Sequence, residues 1–164
     1  MKIFISYRRA DSGREVGRIR DRLMAAFGED STFRDLVDIP PGRDFRTVLE
    51  EETNSCNVTL VVIGPQWASI TGSGGNKRLF DPVDFTRIEV ETGLRRLATE
   101  ESIVIPVLVQ NAMMPSSSDI PESIAGLTYQ NAISIHDDPY FDFYQKRIEG
   151  KSSRGIPRSR RDRR

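Results

Sequence analysis

The chain of 164 residues has one cysteine, one histidine and no long apolar run, and each shortage removes a class of function. Cys56, being alone, cannot close an internal disulfide, so a disulfide-stapled fold is excluded and a reducing compartment is expected. His136 has no second histidine or cysteine cluster to join it in a metal site, so no metal is expected and the imidazole is assigned a structural or exposed place. The longest apolar runs, Val58 to Ile63 and Ile103 to Val109, fall far short of the roughly 20 residues of a membrane helix. A mean hydropathy of -0.45 agrees. Met1-Lys2 opens directly into Ile3-Phe4-Ile5, without a stretch that would serve as a secretory h-region. The expected location is cytoplasmic, with no membrane partner. The one tryptophan, Trp67, stands just past an apolar run and reads as a packing residue.

What is present suffices for one core. At this length, 37% apolar content supports a single ordinary domain and not two. The formal net charge of zero hides an asymmetry: residues 151–164 hold seven of the 24 basic residues and one of the 24 acidic ones, so that stretch is +6 and the rest -6. With Ile156 as its only large apolar residue, it reads as a disordered tail or linker over 150–164, following a domain over 1–149. A nucleic-acid arm is the competing account. A handful of basic residues binds phosphate weakly and without specificity, so the linker reading is preferred and nucleic acid is not an expected partner.

Along the body, strand and helix signals alternate. Lys2 to Tyr7 reads as a buried first strand. Asp11-Ser12-Gly13 supplies capping chemistry ahead of a helical stripe at Val16, Ile19, Leu23 and Phe27. Ser31 to Asp35 reads as a short second strand, and Ile39-Pro40-Pro41-Gly42 forbids regular structure behind it. Phe45, Val48 and Leu49 repeat at helical spacing before a third strand at Val58 to Ile63, whose nearly unbroken apolar character suits a strand covered on both faces. A glycine-rich loop at 71–75 precedes a helix with Val90, Leu94 and Leu97 on one stripe. Ile103 to Val109 reads as a fourth strand despite Pro106, and Tyr129 to Ile135 as a fifth. Between them lies loop with one short helix at Glu122 to Leu127, and a last helix is expected at Pro139 to Glu149. The implied fold class is α/β: a flavodoxin-like three-layer sandwich with a five-stranded parallel sheet in the order 2-1-3-4-5 and helices on both faces.

In that order, ligands bind where the loops after strands one and three diverge. This brings Tyr7, Arg8 and Arg9 opposite the loop after strand three and the helix it feeds. Within that helix Glu91 has Arg87 and Arg95 at i-4 and i+4, and a solvated ion pair explains it. Glu89 has Phe85, Thr86, Thr92 and Gly93 as its helical neighbours and lies off the apolar stripe. Spacing leaves two readings open: a surface glutamate, or a carboxylate lining a pocket.

The opening Ile3-Phe4-Ile5-Ser6-Tyr7-Arg8-Arg9, the loop Phe33 to Gly42 (FRDLVDIPPG), the strand Val58 to Ile63 and the helix start Asp84 to Glu91 (DFTRIEVE) together resemble a Toll/interleukin receptor (TIR) domain of bacterial type. The pieces occur in the family's order and approximate spacing over about residues 1–149. The resemblance implies the flavodoxin-like sheet, and it implies an NAD-cleaving enzyme that releases nicotinamide and leaves ADP-ribose or a cyclised isomer, in bacterial immune (antiphage) signalling. NAD is then substrate and no cofactor is expected. By motif position Glu89 matches the family's catalytic glutamate. Tyr7 and Arg8 fall near the cleft, with Arg8 facing the dinucleotide phosphates, and Asp35 and Phe85 match further substrate-binding positions. Phe85 stands where the family often has tryptophan, which keeps the apolar face but loses the indole donor and bears on the choice of product. Leu36 to Arg43, with Asp38, Pro40, Pro41 and Gly42, matches the loop through which TIR protomers assemble into homo-oligomers or filaments. The expected partners are NAD, other TIR protomers and a C-terminal sensor or effector domain beyond the tail. A non-enzymatic TIR–TIR adaptor that uses the same loop is the rival reading.

Overall fold

The computed structural model describes residues 1–33, 42, 44–99 and 101–135. The expected last helix at Pro139 to Glu149, His136 and the basic tail lie outside them. The sheet contains β1 (Ile3–Ser6), β2 (Thr32–Phe33), β3 (Val58–Ile63), β4 (Ile103–Val109) and β5 (Ile133–Ile135). All pairings are parallel, and the order is β2-β1-β3-β4-β5. α1 (Arg9–Phe27), α2 (Phe45–Asn54) and α3 (Phe85–Ala98) supply the helical layers, with 3-10 turns at Glu29–Ser31, Arg78–Phe80 and Glu122–Tyr129.

The inner strands are apolar on both faces because both faces are covered. β3 is buried along its whole length. Ile3, Ile5, Leu60 and Val62 pack with Val16 and Ile19 of α1 on one face. Val61, Ile63 and Val104 pack with Val90 of α3, Trp67 and the Ile124/Leu127 turn on the other. Phe4 joins Leu49 of α2 there. Pro106 is accommodated in β4 opposite Val61, and β5 pairs only with Val107–Val109, so the proline lies outside that ladder.

Three local expectations are corrected. α1 starts at Arg9, before the Asp11-Ser12-Gly13 stretch, and its axis is interrupted at Ser12 (φ -135°, ψ 17°) instead of being capped there. The reason is that the Asp11 carboxylate turns away from its own helix and accepts from the Gly64 and Gln66 amides at 3.0 and 2.8 Å. Phe27, placed on the apolar stripe by spacing, is the last residue of α1 and is 43% exposed. The segment at Tyr129 belongs to a 3-10 turn, so the fifth strand begins only at Ile133; the second strand starts at Thr32, Ser31 closing a 3-10 turn, and the rest of its expected span lies outside the described residues.

α2 is held to α3 through Arg96, whose guanidinium donates to the carbonyls of Thr53 and Cys56, acceptors at the end of α2. This leaves the carboxyl ends of β1 and β3, the loop after β3 and the start of α3 to form the site.

Candidate active site

β1 delivers alternating side chains to the two faces of the sheet. Ile3, Ile5 and, just past the strand, Tyr7 belong to the α1 face, whereas Phe4 packs on the α2 face. Ser6, fully buried, is in step with Phe4. Its hydroxyl donates to Glu89 Oε2 at 2.7 Å. The Glu89 carboxylate, half-buried on the second turn of α3, is thus tied to the carboxyl end of the first strand. Spacing along α3 left the setting of Glu89 open, and Ser6 comes to it from a strand 83 residues away.

α3 begins at Asp84, an N-cap whose Oδ1 accepts the Arg87 amide at 3.0 Å. The same carboxylate receives the Arg8 guanidinium bidentately, at 3.1 and 3.0 Å, while Arg8 Nε donates to the Trp67 carbonyl at 2.9 Å. Arg78 Nε forms a second ion pair with it at 3.3 Å. Arg8 is only 4% exposed. This corrects its expected role: a guanidinium sunk in the core and shared between Asp84 and a backbone carbonyl does not face the phosphates of a dinucleotide.

The remaining expected residues are placed as follows. Tyr7, partly buried, packs against the α1-face cluster. Phe85 lies one helical turn before Glu89 and is 54% exposed; Phe80 and Val83, just ahead of α3, are exposed as well. Gly42 is exposed with φ +88°, a left-handed conformation that favours glycine. Asp35, Asp38, Pro40 and Pro41 lie outside the described residues. Glu91 forms its expected ion pair with Arg87 at 2.7 Å, and Trp67 is fully buried as expected of a packing residue. Ser6 and Asp84 went unassigned in the sequence. Asp84 carries a legible signal, an aspartate directly ahead of a helical run, but its arginine partners come from other elements.

Beside this constellation, between the loops after β3 and β4, lies a depression of about 270 Å3 lined by Ile63, Ala68, Met113, Pro115, Lys77 and Asp119 among others. None of the expected site residues lines it. Asp119 pairs with Lys77 at 3.7 Å, and its carboxyl is held below its ordinary range, chiefly by the Ser116 hydroxyl.

Comparison with known proteins agrees with this architecture. Residues 3–147 match the TIR domain family model. No curated protein matches the chain significantly. Among solved structures, the TIR domains of the activated Roq1 resistosome, which directly recognises the pathogen effector XopQ, align over 92% of this chain and 98% of that one, with TM-score 0.63 and 15% identity. The TIR domain of the Toll-related receptor TRR-2 of Hydra magnipapillata aligns over 93% and 98%, with TM-score 0.55 and 19% identity. At these identities the likeness is one of fold.

Proposed function

The chain belongs to the TIR domain family, and from that premise we propose that it is an NAD glycohydrolase that cleaves the nicotinamide–ribose bond with Glu89 as its catalytic carboxylate. The observation that carries the reading is the Ser6–Glu89 hydrogen bond, which holds a half-buried carboxylate at the carboxyl edge of the sheet, where this class of fold binds ligands. Departure of nicotinamide develops oxocarbenium-like positive charge on the ribose, and a fixed carboxylate beside the sugar stabilises that charge or orients its hydroxyls. Nicotinamide leaves as a neutral molecule, so no general acid is required and one carboxylate suffices. Water then adds at the anomeric carbon to give ADP-ribose, or an adenine nitrogen of the same molecule adds to give a cyclic isomer. Phe85 supplies an exposed apolar surface one turn from Glu89 against which a planar ring can rest.

Self-assembly is the proposed activating condition. The exposed turn at Gly42 and the TIR domains of the activated Roq1 resistosome support it, and bacterial antiphage signalling is the setting proposed for it. A non-enzymatic scaffold is the second reading, favoured by one feature: Phe80, Val83 and Phe85 expose 47, 61 and 54% of their surfaces within six residues, a contact surface that requires no chemistry. Nicotinamide release from NAD by the purified chain, compared with Glu89→Gln at equal concentration, decides between them. Release by the wild type alone supports the enzyme. Release by neither, from a chain that still assembles, supports the scaffold.

A further inference from the structure

The end of β1 and the start of α3 are joined at two points. Ser6 reaches Glu89, and two residues later Arg8 reaches Asp84, five residues before Glu89. We infer that the Arg8–Asp84 pair is a positioning device for Glu89: it fixes the first turn of α3 against the end of β1 and the turn after β3, and so sets where the carboxylate stands relative to Ser6. The inference rests on the reading of Glu89 as the catalytic carboxylate.

The pair is more than a helix cap. Capping α3 requires one acceptor for the Arg87 amide, which an asparagine supplies equally well. Asp84 instead accepts from three donors, the Arg87 amide and Arg8 Nη2 on Oδ1 and Arg8 Nη1 on Oδ2, and has the Arg78 guanidinium as a further ion-pair neighbour of Oδ2. Arg8 spends its fork on the carboxylate and its Nε on the Trp67 carbonyl, so three segments distant in sequence meet at one guanidinium. Both side chains are almost wholly buried, at 4 and 1% exposure. A buried ion pair is a poor way to add stability, since apolar residues of similar volume often serve as well or better. What it adds is geometry, because planar bidentate contact restricts both the axial and the rotational placement of α3. A one-residue rotation of α3 would carry Glu89 roughly 100° around the helix and away from Ser6.

The test uses the full chain in four forms: wild type, Asp84→Asn, Arg8→Lys and Val16→Ala. Asp84→Asn keeps the cap and the volume but removes the counter-charge. Arg8→Lys keeps the charge but loses the fork. Val16, in the α1 core, provides a destabilised reference remote from α3. Thermal midpoint, kcat and KM for NAD, and amide hydrogen exchange over Thr86 to Glu89 are measured for each, well below the lowest midpoint. Positioning predicts faster exchange in that turn and a kcat lower by about 10²-fold with little change in KM for both pair variants, as for a misplaced catalytic group. Val16→Ala should lose midpoint but keep kcat and the exchange pattern at α3. Pair variants whose kcat and exchange match Val16→Ala overturn the inference. If Asp84→Asn does not fold, Arg8→Lys and Asp84→Glu decide by the same readouts. If the wild type releases no nicotinamide, the catalytic reading of Glu89 fails by itself, and unchanged exchange over Thr86 to Glu89 in the pair variants is the separate result that overturns the positioning role.

Discussion

Ser6 Oγ stands 2.7 Å from Glu89 Oε2 and donates to it from a fully buried position. A hydroxyl fixed by the strand thereby holds one oxygen of a carboxylate carried on a helix, and the two elements owe their juxtaposition to the β1–β3 neighbour relation and the crossover through α3. Removing the hydroxyl should weaken chemistry more than folding. A hydrogen bond to a charged group contributes about 1.5–3 kcal/mol, so Ser6→Ala should lower the turnover of NAD by about one to two orders of magnitude. Nicotinamide release at saturating NAD, with a thermal melt alongside, checks this. Unchanged turnover would remove Ser6 from the site.

Glu89 and Glu91 should separate cleanly. Glu89→Gln is expected to abolish NAD cleavage while the fold persists. Glu91 pairs with Arg87 one turn away on α3, partly buried, and Glu91→Gln should cost only the few tenths of a kcal/mol of a helix ion pair. Equal loss of turnover in both variants would refute the assignment of the catalytic carboxylate.

How far the sequence carried depends on the range of the interaction. Nearly unbroken apolar runs such as Val58 to Ile63 announced their strand because burial on both faces writes itself into composition. The Arg87–Glu91 pair was legible because its members lie one turn apart. Phe27 fell on the helical stripe yet is exposed, since periodicity identifies a helix face but not how far along the helix that face is buried. Glu89 could be singled out, but Ser6 could not be joined to it, and Arg8 was given to phosphates because its true partner Asp84 lies 76 residues along the chain. Charge alone does not distinguish an arginine that waits for a ligand from one that the fold has consumed.

The clamp on the turn after β3 should be visible as non-additivity. Asp11 accepts from the amides of Gly64 and Gln66, and a Cβ on Gly64 would lie 2.4 Å from the Asp11 carboxylate. Gly64→Ala must therefore push that carboxylate off its donors, at about 1–3 kcal/mol. Asp11→Ala removes the same hydrogen bonds, so the double variant should be less destabilised than the two singles added together. Urea denaturation of the four chains measures the coupling, and strict additivity would show that the glycine acts independently of Asp11.

Cys56 should be inert in the folded protein. Burial is the largest influence on its thiol and pushes the pKa above the ordinary 9.0. At neutral pH it therefore stays protonated and shielded, and alkylation by iodoacetamide should await unfolding. Because the folded pKa is the higher one, the contribution of the protonated thiol to stability is complete below pH 9.0 and is lost as pH rises through the folded value. Rapid alkylation of the native chain at pH 7 would contradict this environment.

The last prediction separates folding from assembly at Gly42. Its φ of +88° disfavours any side chain, yet among the described residues nothing lies within 4 Å of where a Cβ would stand. Substitution there meets backbone strain of roughly 1–2 kcal/mol and no clash, so Gly42→Ala and Gly42→Arg should lose similar stability. If the loop packs against a neighbouring protomer, the two must differ in assembly, because only the arginine adds bulk and charge to the contact. Turnover measured against protein concentration should then rise steeply for the wild type, shift to modestly higher concentration for Gly42→Ala, and stay flat and low for Gly42→Arg. Light scattering should lose the larger species in the same order. A wild type whose specific activity is full and independent of concentration would show that one protomer contains the whole site and that the loop serves another purpose.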